Sequence, residues 1–246
     1  TLASLTHSST ALFNNAGAIT GSVTVNSGTV TLSGASNIGD ASTVTVTGGI
    51  LNADVADTIG GLVANGGTTN VSAVLTMGEL SGTAGSIAMT GTGGLIVGDS
   101  DLVNSSFEGV ISGSGSLEKV GTDTLTLTGA NSFSGTTTVS NGTLALTGSG
   151  SLDSASLIIN AAGSVTSDGG AFDPAMVVTN NGLPAALAAP FGLMLTGGGD
   201  ETIAEMDGNG TTDLSSGSVL SLTSGTSDIA GVISGAGGLT VTGTSI

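Results

Sequence analysis

The sequence predicts an all-β fold of one kind, a right-handed parallel β-helix (a β-solenoid), and three observations carry that prediction. Short aliphatic runs alternate with small or hydroxyl residues, glycine-rich steps separate the runs, and the same strand-and-turn strings recur along the chain.

The alternation comes first. Val23-Thr24-Val25, Val30-Thr31-Leu32, Val44-Thr45-Val46, Leu125-Thr126-Leu127, Leu144-Ala145-Leu146, Leu220-Ser221-Leu222 and Leu239-Thr240-Val241 all repeat with period two. That period buries one face of a strand and exposes the other. Gly-Ser, Asn-Gly, Gly-Gly and Ser-Gly steps between the runs mark turns. No segment sustains a 3.6-residue period between helix caps. The 246 residues include 44 glycines, and aromatics make up 2% against 38% hydrophobic residues, with no Trp and no Tyr. Globular domains commonly anchor their cores with aromatics, whereas Val, Leu, Ile and Ala suit a narrow interior. Short one-faced strands cannot form a core singly. Coils stacked about 4.8 Å apart let each strand pair above and below, and each buried Val or Leu then contributes about 1.5–3 kcal/mol relative to exposure. A sandwich or barrel is the competing fold, and the hairpin-type dipeptide Asn141-Gly142 is compatible with it. Repetition favours the solenoid, with coils of about twenty residues and the Val and Leu positions of these runs pointing inward.

The repeats are specific. Residues 20–34 (TGSVTVNSGTVTLSG) match 134–148 (SGTTTVSNGTLALTG) without a gap, placing Gly28 on Gly142 and Leu32 on Leu146. Residues 107–122 (FEGVISGSGSLEKVGT) match 229–244 (IAGVISGAGGLTVTGT), and 57–72 resemble 201–216. The chain therefore reads as one continuous solenoid over 1–246, built from two tandem units at about 20–133 and 134–246. Residues 172–195 depart from the pattern. They hold all three prolines (Pro174, Pro184, Pro190) and an Ala-rich stretch, and they are expected to form an insertion with a short helical turn at Ala185–Ala189. That insertion would either contact another chain or cover its own coil.

Charge is scarce and one-sided. Lys119 is the one Lys, Arg is absent, and 18 acidic residues give a net charge of −17. Nucleic acid binding relies on Lys and Arg and anionic membrane surfaces attract cations, so neither is an expected partner. Cysteine is absent, which suits a chain that crosses a membrane pore unfolded.

Residues 109–148, GVISGSGSLEKVGTDTLTLTGANSFSGTTTVSNGTLALTG, resemble the passenger-associated repeat of bacterial autotransporters. Gly113, Gly115, Leu117, Lys119, Gly121, Leu125, Leu127, Gly129, Asn131, Phe133, Gly135, Thr137, Val139, Gly142 and Leu144 stand where that pattern wants them. Asp123 stands where it usually has Gly. The resemblance is partial over 20–34 and 229–244 and compositional elsewhere. It implies a right-handed parallel β-helix secreted by the type V route to the bacterial cell surface. It also implies a signal and a membrane β-barrel translocator, neither of which is in this sequence. Passengers of that family range from adhesins to proteases and esterases, so the repeat names no activity.

Candidate chemistry is thin. His7, in SLTHSST, is the single histidine, and no Ser stands at nucleophile-elbow spacing. Asp99, Asp101 and Glu108 could pair for glycoside hydrolysis, but the Arg, Lys and aromatic residues of sugar subsites are nearly absent. Asp207, Asn209, Thr211 and Asp213 alternate like the first half of an EF-hand loop. Thr212 stands in place of its Gly and Ser218 in place of its bidentate Glu, so a solvated turn is the better reading of this weak calcium candidate. Gly197-Gly198-Gly199-Asp200 is a fainter one. Thr-x-Thr strings at 29–31, 43–47, 124–128, 136–138 and 240–242 raise ice binding, which irregular spacing disfavours. The expected protein is thus a non-enzymatic structural or adhesive stalk, fibre or surface layer, without catalytic residues or cofactor. Its expected partners are other copies of itself, neighbouring coils of a longer chain, or a host or environmental surface. Both ends break off inside the pattern, so the chain is expected to continue there or to stack on another copy. A carbohydrate-binding or carbohydrate-cleaving β-helix is the alternative.

Overall fold

A computed structural model describes residues 5–13, 19–34, 38–98, 104–182 and 192–242. They form twenty-seven strands and no helix. Every strand pairing among them is parallel, and the chain stacks as a β-solenoid of about eleven turns. The helical turn expected at 185–189 lies outside the described residues.

Each turn crosses three faces in a fixed order. The first face begins with Leu5–His7, Val23–Val25 and Thr43–Val46 and continues through 61–64, 79–81, Ser105–Phe107, Thr124–Leu127, 143–146, 164–167, Gly192–Leu195 and Thr212–Leu214 to Ile233–Gly235. The second face is an eight-stranded sheet of Thr10–Phe13, Thr29–Leu32, Ile50–Ala53, Thr68–Val71, Ser86–Met89, Val110–Gly113, Ala130–Phe133 and Ser151–Leu152. It resumes as Glu201–Ile203, Val219–Leu222 and Gly238–Val241. The third face holds 57–59, 74–77, Gly94–Val97, Ser116–Lys119, 137–139, 156–159, Val177–Asn180 and Glu205–Asp207.

The period-two pattern becomes a set of inner ladders. On the first face Val23, Val44, Leu62 and Leu80 stack in register, and higher up so do Leu125, Leu144, Val165 and Leu193. All eight are buried. The inward Val and Leu positions read from the sequence are buried as expected until the last described coil. There Leu239 is 40% exposed and Val241 is half-buried, because no described coil covers them.

Coil length is steady, with two exceptions. Leu5 pairs with Val23, Val23 with Val44, Val44 with Leu62 and Leu95 with Leu117, steps of 18 to 22 residues. Gly82 instead bridges to Phe107 and Val165 pairs with Leu193, so these two coils are longer. The second long coil is the one expected to carry the insertion. Phe172 bridges Leu152, Val177–Asn180 pairs with 156–159, and Gly192–Leu195 pairs with 164–167. Most of 172–195 is therefore regular coil. The extra length falls between Asn180 and Gly192.

The sequence copies recur in local geometry but not on the same faces. Gly28 (φ 71°) and Gly142 (φ 69°) both turn a corner in the left-handed region, as do Gly113 (φ 104°) and Gly235 (φ 99°). Gly28 joins the first face to the second, whereas Gly142 joins the third to the first. Ile111 lies on the second face and its match Ile233 on the first. Each later copy is thus set back by one face. A strand–corner–strand unit suits any edge of a three-sided coil, because all three inner surfaces make the same demand for one buried aliphatic row.

Candidate functional site

The third face carries the least expected feature. Its inner row reads Ile59, Met77, Val97, Lys119, Val139, Ile159. Lys119, the one cation of the chain, therefore occupies an aliphatic slot and is completely buried. Its Nζ donates to Asp123 Oδ1 at 2.8 Å, to the Gly121 carbonyl at 3.2 Å and to the Val120 carbonyl. Both side chains of this i,i+4 ion pair are fully buried. Two glycines make the room. A Cβ on Gly98 (φ +102°) would come within 3.0 Å of both Lys119 Nζ and Asp123 Oδ1, and one on Gly121 within 2.9 Å of Asp123 Oδ1. Asp123 Oδ2 has no hydrogen-bond partner. The Lys/Asp spacing was visible in the sequence, but only the fold shows that it lies inside.

Two further buried polar groups escaped the sequence reading. Asn131, 1% exposed, joins three consecutive coils. Its Oδ1 accepts from the Ile111 amide at 2.9 Å, and its Nδ2 donates to the carbonyls of Gly129 (2.9 Å) and Ser151 (3.1 Å). Glu201 is buried on the second face, where its carboxylate accepts from the amides of Ala171 and Phe172 and from the Ser167 hydroxyl. Burial raises its pKa above the ordinary 4.5, opposed by these hydrogen bonds and assisted by nearby Asp168.

The sequence candidates are not brought together. Asp207 ends the strand Glu205–Asp207 and accepts the Asp228 amide at 2.7 Å, Asn209 is exposed in the corner, and Asp213 lies in the strand Thr212–Leu214 beside Ser234. The segment is thus strand, corner, strand rather than a loop wrapped around one point, and half-buried Thr211 lies in that corner. Among the described residues no group of three or more His, Cys, Asp or Glu side chains could hold a metal ion. Asp200 accepts the Val219 amide at 2.9 Å. Asp99 and Asp101 lie outside the described residues, and Glu108 is exposed. His7 Nε2 lies 3.3 Å from the exposed Ser9 hydroxyl. The Thr-x-Thr strings do not stack on one another: the neighbours of Thr29 and Thr31 are Thr10, Leu12, Ile50 and Asn52, and those of Thr138 are Glu118 and Ile158. Thr6, Thr24 and Thr45 share one outer row of the first face, which Val63 then interrupts.

The outer surfaces differ in charge. The first face includes Glu79 and Asp213, and the third includes Glu118, Glu205 and Asp207. The eight strands of the second face contain no ionisable residue. Its outer row is hydrogen-bonded within itself, Asn52 Nδ2 to Thr31 Oγ1 (3.1 Å) and Asn70 Nδ2 to Asn52 Oδ1 (2.8 Å).

Comparison with known proteins bears on the coil around Lys119. Residues 117–146 match the family model of the passenger-associated-transport-repeat. The chain carries a passenger-associated transport repeat. No curated protein sequence and no solved structure matches the chain. The repeat and the parallel solenoid together fit an autotransporter passenger built of β-helix repeats. In the fold, the repeat is one complete coil plus the two strands that stack on it. Leu117 pairs with Thr137 and Leu125 with Leu144, so on the third and first faces the coil carries its own partners, while Ala130–Phe133 on the second face pairs with Val110–Gly113 below and Ser151–Leu152 above, outside the thirty residues. The repeat supplies the aliphatic rows, the Asn131 staple and the corner at Gly142.

Proposed function

We propose that this chain is a non-enzymatic structural segment, a stalk or fibre, of an autotransporter-like passenger held at the outer surface of a bacterial cell. One observation carries this reading: the family repeat coincides with one whole coil together with the strands that stack on two of its three faces. Such a module adds length. Stability in stacked repeats comes from each unit's contact with its neighbours, so a chain of these coils extends outward without needing a central site. The lack of Cys agrees with passage through a pore as an unfolded strand, and coils can then form one on another outside. Adhesion would be a property of the outer rows rather than of a cleft.

The test uses the full surface protein displayed on cells, with a tag at the distal end. Duplicating one whole coil should raise the tag by about 5 Å, the spacing of neighbouring strands, with unchanged surface yield. Glycan-array binding or sugar release by the unmodified chain would overturn the reading in favour of a carbohydrate-active β-helix.

A further inference from the structure

We infer that the second face is a self-association surface through which two copies of this chain pack face to face, related by a two-fold axis parallel to the strands. The inference is independent of the stalk reading.

The charge map singles out the face. A chain of net charge −17 repels its own copies. The eight-stranded sheet from Thr10–Phe13 to Ser151–Leu152 is the broad surface on which two copies can meet without opposing carboxylates. A cationic partner would be drawn to the other two faces instead. Three of the exposed large hydrophobics, Leu12 (64%), Ile50 (39%) and Val110 (39%), point outward here. The repeat distance along the sheet is the same in both copies, so outer rows match in spacing wherever they meet.

Symmetry then selects a register. Ile50 and Val110 occupy the same outer row, through the partners Thr68 and Ser86. Ile50 lies on the third strand of the eight and Val110 on the sixth. A two-fold axis along the strand direction reverses the order of strands but keeps each row opposite its own equivalent. Placed between Thr68–Val71 and Ser86–Met89, it sets Ile50 against Val110 of the second copy, and Val110 against Ile50. The rim agrees. Asp54 then faces Ser114 of the second copy, Glu108 faces Gly48 and exposed Asp153 faces Leu12 at the end strand, so no acid meets an acid and the apolar contact is confined to Ile50 and Val110. An isologous contact of this type closes on itself. Eight strands about 4.8 Å apart and about 13 Å wide offer about 500 Å² per copy, or about 1,000 Å² in all. That is the lower limit for a specific interface, so the association is weak for one segment and grows with the number of coils engaged.

Sedimentation of the chain from micromolar to millimolar concentration tests this. The average mass should rise from 23.0 kDa towards twice that value. Thr68→Asp, which puts a carboxylate beside the axis, should weaken association at least about tenfold, while Thr126→Asp on the first face leaves it unchanged; unaltered thermal unfolding certifies both variants. Because the chain has no Cys, Ile50→Cys and Val110→Cys variants can be mixed and treated with a short bismaleimide. They should cross-link together and not separately. A strict monomer throughout the range overturns the inference. So does association that survives Thr68→Asp without the mixed cross-link, which would mean end-to-end stacking of coils instead.

Discussion

At the scale of single residues, the interior is apolar, its charged groups and Asn131 are held by partners, and the small hydroxyls of Ser42, Thr69, Ser105 and Ser164 are buried without a hydrogen bond. Lys119→Met keeps most of the volume but leaves Asp123 as an unpaired buried carboxylate. Removing one partner of a buried pair costs about 3–5 kcal/mol, whereas replacing both by suitable residues is commonly neutral or stabilising. Chemical denaturation should therefore show a severe loss for Lys119→Met and recovery when Asp123→Gly, the family's usual residue, is added. Leu127→Asp and Leu146→Asp place a charge at fully buried positions, where the chain's one cation, Lys119, is already paired with Asp123. Either should abolish cooperative thermal unfolding of the native form. Glu201 gives a pH dependence of the opposite sense to a salt-bridged acid. Its folded pKa lies above 4.5, so the native state holds the proton more tightly than the unfolded chain. Its contribution to stability is present below pH 4.5 and is lost as pH rises through the raised folded value. Melting temperatures of the wild type should show this fall, and Glu201→Gln should remove it.

At the scale of the element, the unit is a strand, a glycine corner and a strand. Gly142 shows why the corner residue is restricted. It has φ 69°, and an added Cβ would lie 2.4 Å from the Asp123 carbonyl oxygen of the coil below and 2.5 Å from that of Gly121. Both the left-handed backbone and the close approach of stacked coils require glycine here. Gly142→Val should destabilise by more than about 2 kcal/mol in urea unfolding, and Gly28→Val should act alike, since a Cβ there meets the Ser9 backbone. Such elements were legible in the sequence, because alternation and glycine act within a few residues. Their assignment to faces was not. The face reached by Ile111 or Ile233 depends on the summed lengths of all preceding coils, so matched sequences gave no sign of the one-face shift. The burial of Lys119 was hidden for a related reason. An alternating string such as Leu117-Glu118-Lys119 shows that positions 117 and 119 share a side. That this side is the interior follows from Val97 below and Val139 above, each about twenty residues away.

At the scale of the whole molecule, the solenoid has a translational symmetry that can be used against it. Each residue's pairing partners lie about one coil away in sequence, and no ladder depends on distant parts of the chain. Removing residues 117–136 deletes one complete coil, because Thr137 pairs with Leu117 in register. After the deletion Thr137 takes the place of Leu117 above Leu95, and Leu144 takes the place of Leu125. Every inner row stays inner. The loss is one coil's share of the stacking, and it removes the Lys119–Asp123 pair as a whole, leaving neither charge orphaned. Removing only 117–126 takes out half a coil, moves each later strand to a different face, and breaks all the ladders above that point. The first deletion should give a cooperative unfolding transition and a rod shorter by about 5 Å in small-angle scattering. The second should give a chain ordered only below the cut, with protease cleaving everything beyond it. Equal damage from the two deletions would mean that the Lys119 coil holds the stack together through something other than its place in the ladder.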